Sequence, residues 1–162
     1  MKLKQSLSLT AGEMIIDTAL SAARDHRLLP LTVVVLDSGG RLVAMKSEDG
    51  SGIMRFDIAF GKAWGALGMG ISSRLIRDRL SKRPTFLNAI ASASGGQFIP
   101  VPGGVLIEDS ERLTLGAVGI SGDTSEKDEF CAIQGVRAAG YTSEPAEPDT
   151  DWQNSILSDH VP

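Results

Sequence analysis

An α+β domain, built as one five-stranded antiparallel sheet flanked by helices, is the fold the sequence predicts. Two segments carry β-hairpin signatures, with apolar strand-like runs around turns rich in polar residues and glycine. Three others space apolar residues at helical intervals. The length of 162 residues suits one core, and 42% hydrophobic with 22% charged residues is ordinary for a globular chain. At this length about two thirds of the unfolded surface can be buried, so no metal or disulfide is required. The single cysteine, Cys131, agrees.

The first helix is expected from the box Thr10-x-x-Glu13, with Leu9 and Met14 at staple positions. Ile16, Ala19, Leu20 and Ala23 form its apolar stripe, and it should end between His26 and Leu29, before Pro30. LTVVVLDSGGRLVAMK then reads as a hairpin turning at Asp37 to Gly40. A second helix is predicted over Ile53 to Met69, burying Phe56, Phe60, Trp64 and Leu67. Its other face holds Asp57, Gly61, Gly65 and Gly68, and each mid-helix glycine costs about 1 kcal/mol relative to alanine. A close neighbour is therefore expected there, either the sheet, another subunit or a ligand.

A short basic helix should follow Ser72 to Arg74 and stop at Pro84, and NAIASASGGQFIPVPGG reads as a loop bearing one short strand. GVLIEDSERLTLGAVGISGD predicts the second hairpin, Val105 to Ile107 and Leu113 to Ile120 around an acidic turn. The last helix begins at Asp123 or Thr124, turns Phe130, Ile133, Val136 and Ala139 inward, and stops at Gly140. Residues 1–142 are thus expected as the domain, and residues 143–162 as an acidic, proline-containing tail lying over the surface. The order of elements resembles a profilin-like or PAS-like layout.

Sixteen Lys and Arg against twenty Asp and Glu leave a net charge of −4, which gives a nucleic acid backbone no electrostatic support. The basic run from Arg74 to Arg83 is read as a solvated helix face. No apolar run approaches the ~20 residues of a membrane span, and no export signal is seen. Neither nucleic acid nor membrane is expected as a partner, and the cytoplasm is the simplest location. CxxC, HExxH, GxxxxGK[ST] and GxGxxG are all missing, so zinc and nucleotide-fold chemistry are not expected and no metal site is assigned. Only His26 and His160 supply imidazoles.

Three glycine-bearing segments mark candidate loops: EDGSG at Glu48 to Gly52, IPVPGGV at Ile99 to Val105, and VGISGD at Val118 to Asp123. The last runs from a strand to a helix start, suited to an anion or simply capped by Asp123. Lys62 beside small residues either holds a carboxylate or covers apolar surface with its stem.

VVVLDSGGRLVAM, EDG, IAFGKAWGA, Ser73-Arg74, IPVPGGVLI and LGAVGISGDTSEKDE, in this order, resemble the GlcG/HbpS family, which also takes in the C-terminal domain of PduO-type proteins. The resemblance covers about Leu7 to Tyr141. It implies a central antiparallel sheet, a homo-oligomer (a dimer or an assembly of dimers), and haem or a related tetrapyrrole as a small-molecule ligand. Where members carry RMDGA this chain has KSEDGSG, so a contact made by that arginine is lost or moved, and Leu106 stands at the usual proline of GGVP.

Two functions follow. The first is a small-ligand-binding protein for haem or another planar anion, with His26 as the available iron ligand. The second is a cofactor-independent tautomerase, lyase or decarboxylase, in which Lys62 and Arg74 hold a carboxylate while Asp49 or Asp128 moves a proton. Either way, Asp49, Lys62, Ser121 and Gly122 are expected to converge with Pro102, Gly103 and Gly104 at one edge of the sheet.

Overall fold

A computed structural model describes residues 5–157. In chain order the elements are α1 (Leu9–Asp25), β1 (Thr32–Asp37), β2 (Leu42–Ser47), α2 (Arg55–Met69), α3 (Ser73–Leu80), α4 (Pro84–Ala93), β3 (Gly104–Glu108), β4 (Thr114–Ser121), α5 (Ser125–Ala138) and β5 (Thr142–Glu144). A short 3₁₀ turn, Trp152–Asn154, follows. The five strands form one antiparallel sheet in the order β2-β1-β4-β3-β5. The predicted α+β class is therefore the observed one.

The sheet is covered on both faces, which is why β1 is buried along Val33 to Leu36 instead of alternating. Val33, Val35, Val118 and Ile120 face α1 and α5. Val34, Leu36, Leu106 and Ala117 face α2. A third, smaller cluster joins Ile76 and Leu80 of α3 to Phe98.

Local physics accounts for several differences from the sequence reading. Helix α1 is capped by Ser8, whose Oγ accepts from the Ala11 amide at 3.2 Å, while Leu9 and Met14 stay exposed. The first hairpin turns as expected, and Asp37 Oδ1 accepts from the amides of Gly39 (2.8 Å) and Arg41 (3.0 Å). Helix α2 meets the sheet through Ala59, Ala63 and Ala66, and its aromatic residues flank that seam. The approach leaves no room for bulk, since a side chain at Gly119 would collide with the Ala59 carbonyl.

The largest correction concerns residues 84–104. Pro84 opens α4 at its first helical positions, where proline's missing amide costs nothing, and no strand forms from there until β3 begins at Gly104. The fifth strand is β5, paired with β3 through Leu106–Glu144, Ile107–Ser143 and Glu108–Thr142. It straddles the boundary expected between domain and tail. Beyond it Trp152 is 9% exposed, and its ring stacks on Phe130 with centroids 3.7 Å apart.

On the glycine face of α2, Gly61 and Gly65 meet the chain's own 97–99 segment. A Cβ on Gly61 would strike Ile99 and lie 2.6 Å from the Gln97 carbonyl oxygen, and one on Gly65 would lie 3.0 Å from Phe98. Gly68 faces open space.

Candidate functional site

Lys62, near the middle of α2, points into the protein, because its position falls on the seam between Ala59 and Ala66. Its Nζ donates to the Ile120 carbonyl at 2.8 Å and to Asp128 Oδ2 at 2.9 Å. Lys62 is 2% exposed and Asp128 1%. The other carboxylate oxygen of Asp128 accepts from the Asp123 amide at 3.1 Å. Burial pushes the Asp128 carboxyl above its ordinary value, against the pull of the Lys62 ammonium and the Asp123 amide.

The IPVPGG loop closes over this pair. Gly103, with φ of +113°, holds its backbone against Lys62 Nζ, and a Cβ there would lie 2.9 Å from that atom. The Gly103 carbonyl accepts from the Ile120 amide at 3.0 Å. The Gly104 amide donates to Ser73 Oγ at 2.8 Å. Pro102, Gly103 and Gly104 are buried. The structure therefore unites Lys62, Asp128, Gly103 and Gly104, as a closed internal junction of α2, β3, β4 and α5.

Asp49 lies apart, exposed in the turn after β2. Its neighbour Glu48 accepts from the Leu31 amide (2.8 Å) and from Arg24 (2.9 Å). Ser121 ends β4 and Gly122 follows it, both buried, with Gly122 tight against Pro30 and Leu31. Asp123 accepts from the amides of Leu29 (2.9 Å) and Thr124 (2.7 Å). Burial raises its carboxyl, but those amides and Lys127 outweigh it and hold Asp123 below its ordinary value.

Arg74 turns to α5 and the C-terminal segment, with Nε 3.4 Å from Glu129 Oε1 and Nη2 donating to the Glu147 carbonyl at 2.7 Å. His26, at the end of α1, is exposed and stands edge-on to Phe130 and Trp152, with centroids 5.0 and 5.1 Å away. His160 lies outside the described residues.

Two residues that sequence reasoning missed carry unusual positions. Glu129 is wholly buried, and neither of its carboxylate oxygens makes a hydrogen bond among the described residues. Burial pushes it to about 7 despite Arg74 and Arg77. Its signal was present, four residues before the buried Ile133 on the inward stripe. Arg55, on the first turn of α2, donates from Nη1 to Ser121 Oγ at 3.2 Å. No periodicity marks it.

The largest of the clefts described, about 510 Å³, opens between the start of α2 and the 95–99 loop and is lined by Met54, Phe56, Phe60, Gly96 and Ile99. A smaller apolar one of about 220 Å³ lies under α4, between Trp64, Ile90 and Phe98. Neither is lined by Lys62 or Asp128. Among the described residues no helix is long and apolar enough to cross a membrane.

Residues 7–137 match the family model described as haem degrading protein HbpS-like. No curated protein matches the chain in sequence. Among solved structures, a complex of PduOC with haem is 22% identical, with 85% of this chain and 98% of that chain covered and a TM-score of 0.76. The Klebsiella pneumoniae protein ORFY, of the DUF336 family, is 23% identical, with 86% and 94% covered and a TM-score of 0.76. A double mutant of Streptomyces reticuli HbpS is 22% identical, with 85% and 89% covered and a TM-score of 0.71. These likenesses show the shared fold.

Proposed function

We propose, from the premise that this chain belongs to the HbpS-like family, that it is a small-ligand-binding protein whose ligand is haem or a related tetrapyrrole. The family match across residues 7–137 carries the reading. The chain's own residues fit such a ligand at His26, an exposed imidazole flanked by the rings of Phe130 and Trp152. Imidazole is a usual axial ligand of haem iron. Haem would supply a redox-active iron there. The protein's part is to present the imidazole, held edge-on to the stacked Phe130 and Trp152 rings.

The buried Lys62 and Asp128 do not favour the enzyme reading, because each spends its hydrogen bonds on the other and on backbone. Titration of hemin into the full chain tests the proposal. A Soret band that shifts on binding, and a His26→Ala variant that binds at least about tenfold more weakly with unchanged circular dichroism, are expected. No shift with the wild type overturns the haem reading, and equal binding by the variant overturns His26 as the ligand.

The working unit in this reading is a homo-oligomer. Its support is α4, a largely apolar helix with no buried residue, which leaves Phe86 49% exposed near Met69 and Ile71. Light scattering that gives the monomer mass of 17.1 kDa at micromolar protein overturns it.

A further inference from the structure

Three hydroxyls stand in a row across the end of the sheet. Ser47 pairs with Thr32, and Thr32 with Ser121, so the ends of β2, β1 and β4 place these residues side by side. All three share the sheet face covered by α2, because Thr32 alternates with Val34 and Leu36 and Ser121 with Gly119 and Ala117. Thr32 Oγ1 lies 2.7 Å from Ser47 Oγ and 2.8 Å from Ser51 Oγ. Arg55 completes the group from above through its bond to Ser121 Oγ.

The donors in this group outnumber the acceptors. Ser47, Thr32 and Ser51 own three hydroxyl protons and share two hydrogen bonds, so at least one proton is unspent. Ser121, 1% exposed, accepts from Arg55, and its own proton has no acceptor among the described residues. The guanidinium has five N–H groups and uses one. No carboxylate of the described residues lies within 4.0 Å of it: Glu48 faces Arg24, and neither Asp49 nor Asp57 pairs with it. A charged cluster of spare donors calls for a ligand that only accepts and carries negative charge. Thr32 and Ser121 are buried, and the cluster reaches the surface through Ser51 and Arg55, both half-buried, beside the exposed Ser47.

We infer that Arg55, Ser121, Thr32 and Ser51 form a carboxylate-binding site, with the guanidinium fork on the carboxylate and the hydroxyls completing its shell. This site does not depend on the haem reading. The carboxylate comes either from a free small acid or from the acidic side chains of a tetrapyrrole.

Calorimetry on the full chain distinguishes these, with succinate, phosphate, hemin and hemin dimethyl ester as probes and Arg55→Gln and Arg55→Lys as variants. Arg55→Gln should bind succinate, hemin or both at least about tenfold more weakly, while melting within a degree of wild type. Arg55→Lys should recover part of the loss, because it restores charge without the fork. A loss for hemin but not for its ester identifies the tetrapyrrole's own carboxylates, and a loss for succinate alone identifies a free acid. The inference is overturned if phosphate binds in place of every carboxylate probe. It is overturned equally if wild type and Arg55→Gln bind succinate and hemin alike, or if wild type binds neither. Failure of the haem reading alone leaves the succinate arm intact.

Discussion

Lys62 Nζ meets Asp128 Oδ2 at 2.9 Å in the interior, where α2 and α5 are joined through the sheet. The pair links opposite faces of the sheet, since α2 covers one and α5 the other. Removing two charges from water costs several kcal/mol each, and the attraction repays this only with further hydrogen bonds. Ile120 and Asp123 supply them.

Lys62→Met should therefore destabilise the protein by about 3 to 5 kcal/mol, since it leaves Asp128 buried without its cation. Lys62→Met/Asp128→Asn should lose clearly less than the sum of the single changes. Urea denaturation of the four proteins measures this coupling, and additive losses would show that the pair is not one unit.

Glu129 predicts a pH dependence of definite sign. Its carboxyl stands at about 7 in the folded protein against the ordinary 4.5, so the folded state holds the proton more tightly than the unfolded chain does. Its contribution is fully favourable below pH 4.5 and is lost as pH rises to about 7. Between pH 5 and 8, wild type should lose about 2 to 3 kcal/mol relative to Glu129→Gln. Parallel stability curves for the two proteins would contradict this.

The α2 glycines predict opposite outcomes for the same substitution. Gly68→Ala meets open space and should stabilise by up to about 1 kcal/mol through helix propensity. Gly61→Ala gains the same propensity but pushes a methyl into Ile99 and the Gln97 carbonyl, and overpacking of about 1 to 3 kcal/mol outweighs it. Thermal melts of the two variants should shift in opposite directions.

Trp152 ties the C-terminal segment to α5 through Phe130, and Ser72 donates from both its amide and its hydroxyl to Glu144 of β5. Trp152→Ala should cost about 3 kcal/mol, the low end for a buried aromatic. A chain ending at Tyr141 should be less stable still, because the edge of β3 is uncovered as well. An unchanged melting temperature for either would show that the segment only rests on the surface.

Elements whose cause is local can be read directly from the residues. The turn at Asp37 to Gly40, the alternation of helix and hairpin and the start of α5 near Thr124 depend on neighbours a few residues apart, and they were legible. Family membership was legible too, because it rests on the order of short motifs. Pro84 was misread, since proline breaks one helix and begins another with the same chemistry, and only packing against α3 selects between them. The partner of Lys62 was also beyond the sequence. Asp49 and Asp128 are the same residue type, and the sheet alone, by setting β4 between α2 and α5, brings Asp128 to the amine and leaves Asp49 in water. Arg55 and the hydroxyl row became a site through strand register, which aligns residues 32, 47 and 121 across three strands. Register is fixed by burial of both sheet faces at once, a property of the whole core that no single segment contains.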